Sequence, residues 1–197
     1  MSRAGPPQGG QVRGIDIQGY AIVSEDDRIA DANGAMPDVL RNDADWAYFQ
    51  AGLDEADLSV LGRLGHEANP NRRSRPRLVL SSGVRGLERR PDAWWWNPAD
   101  LPWERVAGTI LPQGGRVAVP GGRRVFDLFL AIGYDAFHLS RAHGVRIPGG
   151  VALFSDCDAG RSAEEVLAGQ GLRAGPTRVL DPHGPVTLAV WRAALQL

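Results

Sequence analysis

The alternation of apolar and polar positions is most informative over residues 116–141. A short apolar run at 117–119 is typical of a strand, and the Pro-Gly-Gly at 120–122 interrupts it. Apolar residues then recur with the spacing of one helical face, and a second strand-like run follows at 136–140. This order predicts a βαβ unit with a right-handed connection. The residues that mark the helical face are Val125, Phe126, Phe129 and Ile132.

The glycine pair in this unit, Gly121 and Gly122, permits two interpretations. Glycine lets a flat, negatively charged ligand approach the backbone, and the first amides of the next helix would point at it. Arg123 and Arg124 add positive charge, so the pattern favours a pyrophosphate site. A tight turn that needs glycine for positive φ explains the pair equally well, because no complete G-x-G-x-x-G is present.

Similar patterns predict the remaining elements of an α/β domain. Residues 86–115 are the least regular stretch, but a strand containing Trp94–Trp96 would point these side chains to alternate faces, so at least one should be buried. Asn42 and Ser162 are the predicted N-caps of two helices. The predicted strands are 17–24, 58–62, 78–80, 136–140 and 187–191, with a strand or extended arm at 149–156; the predicted helices are 43–52, a helix from Arg63, the helix after Gly122, and 163–169; the predicted loops are 26–37 and 141–147.

An acidic residue and two aromatic residues share one face of the first predicted helix. Asp45, Tyr48, Phe49 and Gly52 follow the spacing i, i+3, i+4 and i+7. An acid beside an aromatic ring on an inward face can bind a flat heterocycle that presents hydrogen-bond donors at one edge. From the residues alone, neutralisation of the positive helix N-terminus by Asp45 is the simpler interpretation.

The ordered set of motifs resembles the dihydrofolate reductase superfamily. Gly-Gly, the helix RVFDLFL and then GYDAFHLSR resemble its cofactor-binding segment. The resemblance extends over about residues 19–192, and each motif is weak alone. The other motifs, in order, are IVSEDDRIADANGAMP (22–37), NDADWAYF (42–49), LGR (61–63), RPRLVLSS (75–82) and VTLAVWR (186–192).

The resemblance implies a fold and an activity. The expected fold is α/β and three-layered, with a central, mostly parallel sheet flanked by helices and an antiparallel C-terminal edge. The expected activity is NADPH-dependent reduction of a dihydropterin, with dihydrofolate and the dihydromethanopterin of methylotrophic bacteria as joint candidates.

The same resemblance implies a role for individual residues. Asp45 matches the active-site acid, Arg75 an arginine that clamps a substrate carboxylate, and Ser140 a hydroxyl that bonds to the acid. Arg63 matches the residue beside the 2′-phosphate of NADPH. The substrate side also includes Val23, Asp38 and Phe49, and the cofactor side comprises Ala30, Arg63, Gly65, Ser81, Ser82, Arg85, Gly121, Gly122, Arg123, Arg124 and Val125.

Two residues depart from the family pattern; the one at Asp38 keeps dihydromethanopterin beside dihydrofolate as a candidate, and the one at Gly65 weakens the expected preference for NADPH. Asp38 follows Met36-Pro37 where the family usually has tryptophan, and Gly65 stands where it usually has a hydroxyl residue. The alternatives are a riboflavin-pathway reductase of a ribosylaminouracil phosphate, which has no need of an acid at Asp45, and a non-catalytic NADPH-binding module. His138, His143 and His183 are scattered and are interpreted as non-catalytic.

Composition limits the class of protein. The 197 residues suit one domain, expected at 17–197 after a flexible tail at 1–16. All 22 basic residues are arginine, which points to a GC-rich coding bias and weakens any argument from one arginine. A net charge of −1 implies no nucleic-acid or membrane partner, and the single cysteine excludes an internal disulfide. We expect a cytoplasmic enzyme, monomeric or homodimeric, without a metal.

Overall fold

A computed structural model of the chain describes residues 14–193. The helices are α1 (Asp43–Asp54), α2 (Arg63–Ala68), α3 (Trp103–Ile110), α4 (Arg123–Ile132), α5 (Ser155–Asp158) and α6 (Ala163–Gly169), with a 3₁₀ turn at Asp38–Leu40. The strands are β1 (Ile15–Val23), β2 (Arg28–Ala30), β3 (Leu58–Gly62), β4 (Arg77–Leu80), β5 (Leu87–Arg89), β6 (Trp94–Trp96), β7 (Gly115–Gly121), β8 (Ala136–Ala142), β9 (Val151–Ala152), β10 (Leu172–Ala174), β11 (Arg178–Asp181) and β12 (Val186–Ala193).

One large sheet organises the described part of the chain. Its strand order is β10-β12-β8-β1-β7-β3-β4-β6-β5, and β11 pairs with β12. The six strands β8, β1, β7, β3, β4 and β6 run parallel to one another. β12 runs antiparallel to each of the strands it pairs with, β8, β10 and β11. The predicted mostly parallel sheet with an antiparallel C-terminal edge is therefore confirmed. The opposite edge is antiparallel too, because β5 reverses onto β6, and β2 pairs with β9 in a separate ribbon.

The sheet separates two layers of helices, as its period of two residues requires. On one face, Ile17 and Val23 of β1 join a large core with residues of α3, α4, α5 and α6. On the other face, Tyr20 packs beneath α1 with Leu53. This arrangement confirms the expected three layers, and it places α1 over the face that carries the even-numbered residues of β1.

The predicted βαβ unit is present, with β1 inserted between its two strands. β7 and β8 each pair with β1 and are joined by α4. β7 continues through Pro120 to Gly121, so Gly122 alone separates the strand from α4. The sequence predicted a three-residue interruption at 120–122. Gly121 has φ +104°, and a Cβ atom there would lie 2.4 Å from the ring of Phe126. Glycine is therefore required both by the turn and by the helix packed against it.

Element boundaries differ from the predictions where a strand is extended by pairing with a strand that is distant in the sequence. β1 begins at Ile15 instead of residue 17, because Ile15 already pairs with Gly115, so the last two residues of the predicted tail are strand. Residues 1–13 of that tail lie outside the described residues. β8 extends to Ala142, which pairs with Val186. None of the helices within residues 14–193 combines the length and apolarity that crossing a membrane demands.

The tryptophan-rich stretch forms part of the structural core. Trp95 and Trp96 are buried, as expected for at least one of the three consecutive residues. Trp96 is 1% exposed, donates a hydrogen bond from Nε1 to the Leu101 carbonyl at 2.8 Å, and packs 5.8 Å from Trp103 of α3. β6 therefore anchors α3 to the sheet.

Replacement of Trp96 by alanine should lower the free energy of unfolding by about 3–5 kcal/mol, because it opens a large cavity and leaves a carbonyl unpaired. Urea denaturation at pH 7 measures the change. The control is Leu64→Ala, since Leu64 is 71% exposed and its truncation should change stability by less than about 0.5 kcal/mol. Equal effects of the two substitutions would contradict this account of β6.

Candidate active site

Three neighbouring parallel strands end side by side, and their ends carry the residues predicted for cofactor binding. Leu61 of β3 pairs with Gly121 of β7, and Gly62 pairs with Leu80 of β4. The residues that follow these strand ends are Gly122, Arg63 and Ser81, so they form one row. The carboxyl edge of a parallel sheet is where α/β proteins place ligand sites.

The glycine turn leaves open space at the start of α4. Gly122 is the N-cap and is exposed, and a Cβ atom there would meet nothing within 4 Å. Arg124 is exposed, whereas Val125 is buried against the sheet. Arg123 is already paired, because its Nη1 lies 2.6 Å from Asp158. Asp158 also pairs with Arg28 of β2, so one carboxylate bridges two arginines beside this turn.

The second part of the row lies at the ends of β3 and β4. Arg63 is half exposed and donates to both carboxylate oxygens of Glu67, at 2.9 and 3.0 Å, one helical turn along α2. Gly65 lies between them. Ser81 accepts a hydrogen bond from the Gly83 amide at 3.1 Å, and Ser82 and Arg85 are exposed beside it.

The predicted acid stands at the start of α1. The Asn42 side chain caps this helix by accepting hydrogen bonds from the amides of Ala44 and Asp45. Asp45 is half-buried, and burial raises the pKa of its carboxyl while a hydrogen-bond interaction with the Ser140 hydroxyl acts in the opposite direction. Ser140 is 2% exposed on β8. The structure thus brings together the predicted acid and the predicted hydroxyl, and it extends the acid form of Asp45 toward neutral pH.

Aromatic residues lie next to this acid. Phe49 meets the Tyr20 ring edge-on at 6.4 Å and lies 5.5 Å from Trp46, which is 55% exposed. Together they offer an apolar wall to a flat ligand. The sequence analysis did not identify Trp46. Of the smaller predicted contacts, Ala30 is 8% exposed at the end of β2, and Val23 belongs to the main core, so only its backbone is available to a ligand.

Arg75 and Asp38, which were predicted to bind the substrate, are paired with other side chains of this chain. Arg75 is largely buried and donates from Nε and Nη2 to Asp54 at 2.9 and 2.6 Å, and from Nη2 to the Gln50 side chain at 2.9 Å. It therefore ties the end of α1 to β4. The Asp38 side chain is 95% exposed and pairs with Arg41 at 3.2 Å.

A buried polar network beneath α1 was missed by the sequence analysis. His138, 8% exposed, stacks on Tyr20 with ring centroids 4.3 Å apart and planes inclined by 10°. Its Nδ1 bonds with the Tyr48 hydroxyl, and its Nε2 lies 3.1 Å from the Gln18 side-chain oxygen. The alternation of β1 predicts that Gln18 and Tyr20 share one face of the sheet. Nothing in the sequence predicts that His138 lies beside them.

This network borders a cavity of about 440 Å³ at the amino-terminal edge of the sheet. Arg116 closes part of it by pairing with Asp16 at 3.2 Å and with Glu55 of α1 at 2.6 Å. The cavity therefore lies at the opposite end of α1 from Asp45. Its walls are polar and mutually hydrogen-bonded.

No model of a known protein family matches this sequence, and comparison with curated proteins finds no match. Solved structures do match the fold. A Shewanella sp. PV-4 protein with a provisional riboflavin biosynthesis assignment gives a TM-score of 0.64 at 18% identity, over 91% of this chain and 99% of that one. Enterococcus faecalis dihydrofolate reductase, solved with NADP(H) and RAB-propyl, gives 0.63 at 15% identity, over 90% of this chain and 95% of that one. This chain has the dihydrofolate reductase fold.

A third similar structure carries a deaminase/reductase name. It is the Thermotoga maritima diaminohydroxyphosphoribosylaminopyrimidine deaminase/5-amino-6-(5-phosphoribosylamino)uracil reductase, with a TM-score of 0.64 at 14% identity. The match covers 92% of this chain and 57% of that chain. At such identities the likeness establishes the fold, which confirms the fold expected from the sequence resemblance.

The state of His138 should make stability depend on pH. Burial, assisted by the charges of Arg192, Arg116 and Arg178, lowers the pKa of His138 from 6.5 to about 4. Because the folded pKa lies below the unfolded value, the unfolded chain takes up this proton first as the pH falls. The free energy of unfolding should therefore decrease between about pH 6.5 and pH 4, by up to about 3 kcal/mol at 1.36 kcal/mol per unit.

Urea denaturation of the wild type and of His138→Gln, at several pH values from 7 to 4, isolates this contribution. The raised pKa of Asp45 acts in the opposite direction, but it is common to both proteins and cancels in their difference. Parallel stability curves for the two proteins would contradict a neutral, buried His138.

Proposed function

We propose that this protein is an NADPH-dependent reductase of a dihydropterin, with dihydrofolate and dihydromethanopterin as joint candidate substrates. The observation that carries the proposal is Asp45, a half-buried carboxyl of raised pKa held against Ser140 beside an aromatic wall. A flat ring that needs a proton when it is reduced fits this arrangement. The resemblance of the motifs and the shared fold support the same reductase class.

The residues at the carboxyl edge fit NADPH. Open space at Gly122 admits a pyrophosphate to the first amides of α4, a helix of ten residues, with Arg124 exposed beside it. Arg63, Ser81, Ser82 and Arg85 would surround the 2′-phosphate. When bound, NADPH supplies a hydride to pterin C6, so the protein itself must position the ring and provide for a proton at N5.

The roles of the substrate residues follow from their chemistry. Asp45 would hold the 2-amino group and N3 of the pterin and favour the protonated ring, while Ser140 orients the carboxyl. Phe49 and Trp46 would pack on the ring and on the group beyond it. Burial raises the pKa of Asp45, so this carboxyl keeps its proton at a higher pH than an exposed aspartate does.

A second candidate is the riboflavin-pathway reduction of a ribosylaminouracil phosphate. Two observations favour it. One similar structure carries a riboflavin biosynthesis name, and another is named a 5-amino-6-(5-phosphoribosylamino)uracil reductase, which is the substrate class of this candidate. In addition, Arg75, the predicted clamp for a glutamate carboxylate, is already occupied by Asp54 and Gln50. This candidate uses the same NADPH edge and differs in the ring that Asp45 faces.

The test of the proposal is the oxidation of NADPH, followed by absorbance, with purified protein and each of dihydrofolate, dihydromethanopterin and the riboflavin-pathway intermediate. Turnover on a dihydropterin is the expected result. Turnover on the riboflavin intermediate alone would replace the first candidate with the second. Tight binding of NADPH without turnover on any of the three would identify a cofactor-binding module and overturn both.

Asp45→Asn should lower kcat on the dihydropterin by about 10²-fold or more, the usual scale for a residue that handles the proton. Binding of NADPH, measured by fluorescence titration, should remain nearly unchanged, because Asp45 lies away from the glycine turn. Turnover within a few-fold of the wild type at neutral pH would remove Asp45 from the mechanism.

Arg63 should decide the preference for NADPH over NADH. The 2′-phosphate carries about −1.5 to −2 charges at pH 7, by analogy with other phosphomonoesters, so Arg63→Ala should reduce the ratio of the two kcat/KM values by about ten-fold. The matched variant is Glu67→Gln, which removes the carboxylate that holds Arg63 and should raise the ratio. A ratio unaffected by either substitution would show that the phosphate binds elsewhere.

A further inference from the structure

Helix α1, which carries Asp45, is attached to the sheet by both apolar and polar contacts. Of its twelve residues Leu53 is buried, and Tyr48 and Phe49 pack half-buried against the same cluster around Tyr20. Apolar packing is non-directional, so the polar contacts set the orientation of the helix. The hydrogen-bonded attachments are Tyr48 with His138, Gln50 and Asp54 with Arg75, and the C-cap Glu55 with Arg116. Ser140 lies close enough to Asp45 to act on its carboxyl.

Two of these attachments join the same pair of elements. Asp45 and Tyr48 are three residues apart on α1, and therefore lie on one helical face. Ser140 and His138 are two residues apart on β8, and therefore point to the same side of the sheet. In the register with β1, they stand opposite Ile22 and Tyr20. The contact between Tyr48 and His138 is thus the nearest support for the contact between Asp45 and Ser140.

The hydrogen bonds around His138 leave one arrangement of its proton. The Gln18 amide nitrogen donates to Asp16 at 2.7 Å, which orients the Gln18 oxygen toward the ring. That oxygen accepts from the Tyr20 hydroxyl at 2.9 Å and can only accept from His138 Nε2, so Nε2 carries the hydrogen. Nδ1 is then the acceptor for the Tyr48 hydroxyl. The imidazole is neutral and fully bonded, and its stacking on Tyr20 fixes its plane.

Close packing completes this support. A Cβ atom at Gly52 would lie 2.5 Å from the Tyr20 ring, so α1 approaches β1 as closely as its backbone permits. Tyr48 lies between this contact and Asp45. Any outward shift of Tyr48 therefore carries the N-terminal turn of α1, and with it Asp45, away from Ser140.

We propose that His138 is a positioning residue that acts through Tyr48 to hold Asp45 against Ser140. The inference rests on the proposed function, in which Asp45 handles the proton. Without this support α1 moves outward and the Asp45 carboxyl gains water, which lowers its pKa. Loss of the Ser140 hydroxyl alone would raise that pKa, but burial is the larger effect, so the acid form is lost at a lower pH. The cofactor edge lies on β3, β4 and β7 and is not affected.

Charged groups from every neighbouring element face this network and bear on its pH dependence. Arg192 of β12 and Arg116 of β7 disfavour a charge on His138, and Asp16 of β1 favours one. Arg178 of β11 lies over the Tyr48 ring at 5.0 Å, and the charge of Glu55, the C-cap of α1, acts to raise the pKa of Tyr48. The experiment is therefore done at constant ionic strength, with these residues unchanged.

The variants are Tyr48→Phe, His138→Leu and His138→Gln. Tyr48→Phe keeps the ring and removes one hydroxyl, and it should lower kcat by up to about ten-fold, shift the pH profile of kcat to lower pH, and leave KM for NADPH within two-fold. His138→Leu should do the same. His138→Gln offers both an acceptor and a donor and should recover most of the loss. The control is Tyr134→Phe, which removes a buried hydroxyl bonded to the Phe126 carbonyl and should not move the pH profile.

A second measurement is independent of turnover. Titration of the Asp45 carboxyl by ¹³C NMR should give a lower pKa in Tyr48→Phe than in the wild type or Tyr134→Phe. That shift, together with absent turnover on every pterin, would refute the proposed function and support the positioning role. An unchanged Asp45 titration in Tyr48→Phe, or a His138→Gln enzyme as impaired as His138→Leu, overturns the positioning role whatever the substrate.

Discussion

A carboxyl group that must stay half-buried needs a rigid support, and here the support is the polar face between α1 and the sheet. The helix that carries Asp45 buries only Leu53 fully, with Tyr48 and Phe49 half-buried beside it, so the environment of Asp45 also depends on hydrogen bonds made by its neighbours along that helix. The cost of leaving a buried polar group unpaired, about 1–3 kcal/mol, makes such contacts sensitive to small displacements. Polar attachment therefore specifies the position of α1 more sharply than apolar packing of the same area.

The two faces of the sheet differ in the kind of side chain that they bury. The face that carries α3 and α4 has a continuous apolar core, with Phe126 and Phe129 among its fully buried side chains. This core fixes the glycine turn, since Phe126 occupies the space that a side chain at Gly121 would need. The opposite face carries ionisable groups. The glycine turn proposed for the cofactor and the acid proposed for the substrate thus belong to different layers of the fold.

How much was predictable depended on whether the signal was local. β3, the start of α2 and the whole of α6 lie where the sequence predicted them, because a short apolar run, its end and the Ser162 cap are signals within one segment. β10 and β11 were missed, since each is short and defined only by pairing with β12. His138 was read as an isolated histidine, because its partners Gln18 and Tyr48 are 120 and 90 residues away. The assignment of site residues by resemblance could not reveal that Arg75 is bonded to Asp54, 21 residues earlier.

The internal pairing of the arginines has a consequence for any anion that binds here. Of the five arginines that the resemblance assigned to substrate or cofactor groups, Arg63, Arg75 and Arg123 each hold a carboxylate of this chain, from Glu67, Asp54 and Asp158. An incoming phosphate or carboxylate must displace that partner, so its net binding free energy is the difference between two ion pairs and not the energy of one new pair.

For the exposed pairs that difference is small, since surface salt bridges contribute about 0–1 kcal/mol. Arg75 is the exception because it is largely buried and bonds to two partners, and its release would also free the end of α1. Discrimination by charge is therefore easier at Arg63 than at Arg75. Under the proposed function, cofactor selection would fall at the exposed Arg63, and the choice of the ring would fall to Asp45 and the aromatic wall.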